Sequence, residues 1–357
     1  MNTALRLIFI FLIGISCISG FSQTNAPKYS NEFLAIGVGA RNFAMGNSVI
    51  SSVQDVTAGY YNPAGLLNTK KKMEFGLMHS EYFAGIAKYD YLGFSKRIDE
   101  NSVGGISLIR FGTDDIPNTT QLIDKDGNID YDRITKFSAA DYALLLSYAR
   151  KLPMGLEVGG NFKIIHRRIG DFANSWGIGL DAGLNYSHKD WKFAAVLRDV
   201  TTTVNAWSYS IDDATREVFE ATGNEIPENS TEITLPRLLL GVSRDYKLSP
   251  KFSLLAEFNL NTTFDGKRNS LIRSNAFSTD PTLGFELGYK NIVFLRTGIN
   301  NMQWIRQFDG TESLSVMPNI GLGIAFKKFQ IDYALSNIGN QSLALFSNVF
   351  SLSFGLN

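Results

Sequence analysis

Apolar and polar residues alternate strictly along most of the chain. In "WGIGLDAGLNY" (176–186), Trp176, Ile178, Leu180, Ala182, Leu184 and Tyr186 share one face, and Gly177, Gly179, Asp181, Gly183 and Asn185 share the other. The scheme returns in "FSLLAEFNL" (252–260), "TLGFELGY" (282–289), "IGLGIAF" (320–326) and "FQIDYAL" (329–335). A period of two marks β-strands. A soluble sandwich alternates too, but its wet face carries Lys, Glu and Thr. Here the apolar face is capped by aromatics, and the other holds Gly, Ser, Asn and isolated charges. That is the distribution of a transmembrane strand, with lipid outside and a polar lumen inside.

The alternation predicts fourteen strands, near 72–79, 89–97, 102–111, 138–149, 155–168, 176–187, 191–200, 235–246, 251–263, 282–290, 291–300, 317–327, 328–338 and 348–357. Tight connections ("IDEN", "KLPMG", "HKD", "KLSP" and the junctions at 290–291 and 327–328) alternate with long ones at 112–137, 169–175, 201–234, 264–281, 301–316 and 339–347. Short periplasmic turns alternating with longer outer loops are a barrel arrangement. The expected fold is therefore all-β, a 14-stranded antiparallel transmembrane β-barrel in outer-membrane lipid. The last strand, "NVFSLSFGLN", closes on the first, because lipid cannot satisfy an open edge.

The 357 residues are 44% hydrophobic with formal net charge zero, which gives no reason to expect a nucleic-acid partner. Arg6, the apolar run "LIFIFLIGISCI" and "GFS" before Gln23 read as a signal peptide over 1–22. Cys17, the single cysteine, lies inside it. A lipoprotein signal is the alternative, but Gly14 stands where a lipobox wants a larger aliphatic. After cleavage no disulfide is available, so other forces must hold the fold.

Between signal and barrel (72–357) lies the segment 23–71, which needs a place. Fourteen strands with a glycine-lined wall predict a sizeable lumen. The apolar and glycine-rich "FLAIGVGARNFAMG" (33–46) suits a compact hatch within it. In "TAGYYNPAGLLN" (57–68), Pro63 lacks an N–H and biases Asn62 away from the α region, which predicts a bend turning the hatch towards the first strand. The stretch "GARNFAMGNSVISSVQDVTAGYYNPAGL" resembles the N-terminal region of FadL-like outer-membrane proteins, most closely the PorV/PorQ branch associated with type IX secretion. The matching positions are Gly39, Ala40, Arg41, Met45, Gly46, Asp55, Tyr61, Asn62, Pro63, Ala64 and Gly65. The resemblance implies a fourteen-stranded barrel with an N-terminal hatch, serving type IX secretion through translocon or cell-surface attachment partners. The alternative it leaves open is a FadL-type transporter of hydrophobic compounds.

Other signals add less. His79, His166 and His188 sit in or beside different strands without nucleophile or metal-ligand spacing. "GVGARN" (37–42) has Asn42 where a dinucleotide loop needs its last glycine. Asp124, Asp126, Asp130 and Asp132 offer hard oxygens for Ca²⁺, but the glycine comes too early for an EF-hand, which favours a solvated acidic turn. The longest loop, 201–234, is acidic and offers Trp207, Tyr209, Asp212 and Asp213 as contacts for a protein partner. By alternation Glu157, Lys163, Asp181, Glu257, Glu286 and Asp332 face the lumen and should pair with hatch residues such as Arg41, since an unpaired buried charge is costly. Acid, base and nucleophile never gather, so neither enzyme chemistry nor a cofactor is expected.

Overall fold

The computed structural model describes residues 30–82, 85–123, 127–307, 309–338 and 346–356. The signal segment, Asp124 and Asp126 lie outside them. Fourteen antiparallel strands close into one barrel. In chain order they are β1 (Met73–Tyr82), β2 (Ala87–Asp99), β3 (Ser102–Asn118), β4 (Thr135–Lys151), β5 (Leu156–Ile169), β6 (Ala173–His188) and β7 (Trp191–Arg198 with Thr203–Tyr209). Then follow β8 (Ser230–Thr234 with Arg237–Lys247), β9 (Phe252–Thr263), β10 (Ser278–Tyr289), β11 (Val293–Arg306), β12 (Glu312–Phe326), β13 (Phe329–Ser336) and β14 (Ser347–Leu356). β14 pairs back onto β1, from Met73 opposite Leu356 to Glu81 opposite Asn348. This removes the edge that an open sheet would present to lipid.

The outward face is what a bilayer requires. Leu322, Ile324 and Ile331 are 55%, 56% and 60% exposed on neighbouring strands, a continuous apolar surface that water does not tolerate. Towards the tight-turn end, rings pair across strands: Phe252 with Tyr289 at 5.0 Å, Phe329 with Phe354 at 4.8 Å and Phe75 with Phe94 at 4.7 Å. Such aromatic girdles flank the apolar band of outer-membrane barrels. The chain is an outer-membrane β-barrel. No described helix is long and apolar enough to cross a membrane; the crossing is made by strands.

Strand ends near the tight turns match the alternation, and the outer ends run further. β3 continues to Asn118 and β11 to Arg306, while β10 begins at Ser278 and β12 at Glu312. Two of these extensions lie beyond register shifts at Thr113/Ile116 and Asn300/Gln303. A bulge swaps the faces, and above the bilayer both faces are wet, so the pattern disappears while the ladder continues. The expected loop 201–234 needs the same correction. It contains the outer half of β7, the first piece of β8, and a helix, Asp213–Thr222.

Residues 30–72 run through the lumen. They form two short helices, α1 (Ala40–Ala44) and α2 (Ala58–Tyr61), and the 3-10 turns Glu32–Ala35 and Pro63–Asn68. Val38, Ala44, Met45, Val49, Val53, Ala58 and Leu66 are almost wholly buried. The apolar core of this protein lies inside the barrel, between this segment and inward wall residues such as Tyr89, Ile109 and Ile165.

Candidate functional site

The site is built on the Asn-Pro bend. Asn62 is held extended (φ −154°, ψ 103°), which ends α2 and starts the Pro63–Asn68 turn. Its side chain is fully used: Oδ1 accepts from Ala64 N at 3.1 Å, and Nδ2 donates to Ile50 O at 3.1 Å and to Asn185 Oδ1 on β6 at 2.6 Å. The two preceding tyrosines clamp the strand of chain above them. Tyr60 OH accepts from Gly37 N at 3.0 Å and donates to Leu34 O at 2.7 Å. Tyr61 OH accepts from Val38 N at 3.0 Å and donates to Asn47 Oδ1 at 2.6 Å. Burial pushes the Tyr61 phenol far up, so it remains a neutral donor. Asn62→Ala removes three hydrogen bonds to a buried amide. At roughly 1 kcal/mol each it should loosen the segment by about 3 kcal/mol, read as faster protease cleavage within 30–71 on a barrel that still closes.

The rest of the motif belongs to the same body. Gly39 caps α1 with φ +85°. Gly46 has φ +63° and lies so close to β11 that a Cβ would stand 2.9 Å from Ile299 N and O, so both backbone conformation and space require glycine there. Asp55 Oδ1 accepts from Thr57 N at 2.8 Å and from the Thr57 hydroxyl. α1 packs on β11–β14, and the Pro63–Asn68 turn on β3–β6 across the lumen. The bend therefore carries the segment from one wall to the other.

The lumen-facing glycines make room for the segment, for its backbone at Gly159 and Gly298 and for a side chain at Gly321. A Cβ on Gly159 would stand 2.4 Å from Ala64 N and 2.5 Å from Pro63 C; on Gly298, 2.1 Å from Met45 C; on Gly321, 2.5 Å from the Ala44 Cβ. The lumen expected from fourteen strands is thus occupied by the N-terminal segment. Two large cavities lie among the described residues, one of about 600 Å³ on the outer side and one of about 640 Å³ on the periplasmic side. Aromatic and aliphatic groups (Phe43, Tyr60, Tyr61, Tyr82, Phe111, Leu239) line the outer cavity together with amides (Asn47, Asn261, Asn300, Asn301) and Arg198 and Arg237.

The six wall charges expected to face the lumen, and Arg41, each have a partner. Arg41 Nε donates to Glu286 Oε2 at 2.8 Å; Arg296 bridges the same Glu286 and Asp332, each at 2.6 Å. Burial works against the charge on Arg41, but Glu286 outweighs it and holds the guanidinium more basic than usual. Glu257 accepts from Ser51 N at 2.8 Å, and Glu157 from Asn68 Nδ2 at 3.0 Å. Lys163 pairs with Asp181 at 2.7 Å and with Asp199. Arg296 and Asp199 are additions to the expected set. Alternation in "VFLRTGIN" points Arg296 inward, whereas Asp199 sits in the break of β7 with φ +55°, where no period holds.

The outer-loop candidates fare differently. Trp207 is buried beneath the Arg167 guanidinium at 5.0 Å, so it is not an exposed anchor; Tyr209 stacks on it at 6.1 Å. Parity along the outer half of β7 turns Trp207 inward. Asp212 caps the Asp213–Thr222 helix, accepting from Thr215 N at 2.8 Å, and Asp213 is exposed in its first turn. Asp130 accepts from Asp132 N at 3.1 Å and Arg133 Nε at 3.2 Å, which closes a small turn. Among the described residues no group of three or more His, Cys, Asp or Glu is arranged to hold a metal. His79 does find carboxylates, Asp90 at 2.7 Å and Glu81 at 3.9 Å, placed by the β1–β2 register on the outward face.

A closed barrel with a packed lumen defines the class, an outer-membrane β-barrel. No family model and no curated protein matches the sequence. Among solved structures the chain is similar to the CymD monoaromatic hydrocarbon channel, at 14% identity and TM-score 0.58 over 90% of this chain and 98% of that one. It is similar to the Pseudomonas putida toluene transporter TodX, at 14% identity and TM-score 0.57 over 90% and 98%. A Pseudomonas aeruginosa FadL homologue matches at 11% identity and TM-score 0.53 over 90% and 98%. The chain shares its fold with these barrels, one of them a hydrocarbon channel and one a toluene transporter.

Proposed function

We propose that this chain is a FadL-type outer-membrane channel for a small hydrophobic compound, with residues 30–71 as its hatch. The observation that carries the reading is the pair of cavities on opposite sides of one hydrogen-bonded segment. An outer chamber with aromatic walls can hold an apolar molecule, and the segment decides when it passes. The neighbours named for monoaromatic hydrocarbons and toluene support this over the secretion reading. Cells lacking the chain should take up toluene several-fold more slowly, with recovery on complementation; unchanged uptake of toluene and of a medium-chain fatty acid would overturn it.

Type IX secretion is the second reading, favoured by the motif at 39–65 and by the outer loops. Ile129 and Tyr131 are 59% and 71% exposed on the β3–β4 loop, and Asp213, Glu217 and Glu220 are exposed on the loop helix. Deleting 210–229 spares β7 and β8 and separates the two. Loss of exported protein from the cell surface, on an intact barrel with normal uptake, would replace the channel reading by the PorV/PorQ one.

A further inference from the structure

The periplasmic cavity is lined by more Lys and Arg side chains than carboxylates, the latter being Asp55, Glu74, Asp245 and Glu286. Lys70 and Lys71 on the approach to β1, Lys247 at the end of β8, and Lys327 and Lys328 in the β12–β13 turn line its rim. Lys192 at the same rim is paired with Asp245 at 3.0 Å. The other five form no ion pair within 4.0 Å among the described residues.

Arg41 also lines this cavity, its side chain 7% exposed. Two of its nitrogens hold Glu286, Nε at 2.8 Å and Nη2 at 3.4 Å. The third, Nη1, is buried without a hydrogen-bond partner. A buried guanidinium donor needs an acceptor. The surrounding lysines raise the local concentration of anions and so select which acceptor arrives. Carboxylate and phosphate are the groups that match a guanidinium fork.

We propose that the periplasmic cavity is an anion site whose occupant is a small organic carboxylate or phosphate, gathered by the lysine rim and bonded by one oxygen to Arg41 Nη1. The proposal stands whatever the barrel transports. The site also touches the seating of the segment, because an anion on Nη1 stands beside the Glu286 carboxylate held by the same guanidinium and repels it. Occupancy from the periplasmic side should loosen α1.

The test uses the mature, full-length protein in detergent, titrated calorimetrically with citrate, with tripolyphosphate and with a hexaglutamate peptide. One of the two small anions should bind at a single site, more weakly as salt rises. Binding should fall about tenfold in the Lys70→Gln/Lys327→Gln/Lys328→Gln variant. These side chains are exposed, and an unchanged boiled-versus-unboiled gel shift would show that the barrel is intact. The small anion should also speed protease cleavage within 30–71 in the wild type and less so in the variant. Absence of binding by both small anions, equal affinity in the variant, or binding of hexaglutamate alone would overturn the proposal, the last pointing instead to an acidic segment of a periplasmic protein.

Discussion

Gly298→Val should leave the barrel closed and unseat residues 30–71. A Cβ at this position would stand 2.1 Å from Met45 C, 2.3 Å from Met45 O and 2.4 Å from Gly46 N. The obstacle is backbone, so no rotamer change relieves it. Gly46 cannot retreat along the wall either, being already against Ile299. Overpacking typically costs 1–3 kcal/mol, and a backbone clash belongs at about 3 kcal/mol. That shifts the seated population by about 100-fold. β11 itself tolerates valine, a good strand former, so the boiled-versus-unboiled gel shift should be that of wild type. Single-channel conductance and cleavage within 30–71 should both rise. Gly104→Val is the control: a Cβ there meets only Ile98 side-chain atoms on the outward face, from 3.3 Å, and should change neither. Wild-type conductance and cleavage in Gly298→Val would mean that the segment is not the barrier.

Arg41→Met should open the same barrier by a different route. The guanidinium joins α1 to Glu286 at 2.8 Å, and Glu286 keeps only Arg296, at 2.6 Å, once Arg41 is gone. Removing one partner of a buried pair costs 3–5 kcal/mol, and the surviving Arg296 puts this case near 3. Open-channel events should become about 100-fold more frequent. The double variant Arg41→Met/Glu286→Gln removes the stranded charge as well and should recover part of the loss, so the two effects will not add. Additive effects in a conductance-based cycle would show that the two side chains do not act as a pair.

Much of this was legible beforehand. Fourteen strands, their alternating connections, the inward direction of Glu157, Lys163, Asp181, Glu257, Glu286 and Asp332, and pairing of Arg41 with a wall acid all follow from period two and the cost of unpaired charge. Other features were not legible, each for a stated cause. The outer extensions of β3 and β11 follow bulges and stand in water on both faces, so no hydrophobic contrast marks them. Trp207 reads as a loop aromatic because the break at 199–202 hides the continuation of β7. Asp199 joins Lys163 only through that break.

By itself the sequence determined the strand number, the order, the closure and which face of each strand meets lipid. Those properties are local: each residue's character answers to the medium on its own side of the sheet. The tertiary structure alone decided which residues meet inside the barrel. Arg41 meets Glu286, and Asn62 meets Asn185, because register and curvature around a closed ring bring distant positions to the same height. A glycine on the inner face records only that a side chain is missing. Whether water or another backbone takes the space at Gly159, Gly298 and Gly321 depends on where the segment 30–71 crosses the lumen, which no local pattern encodes.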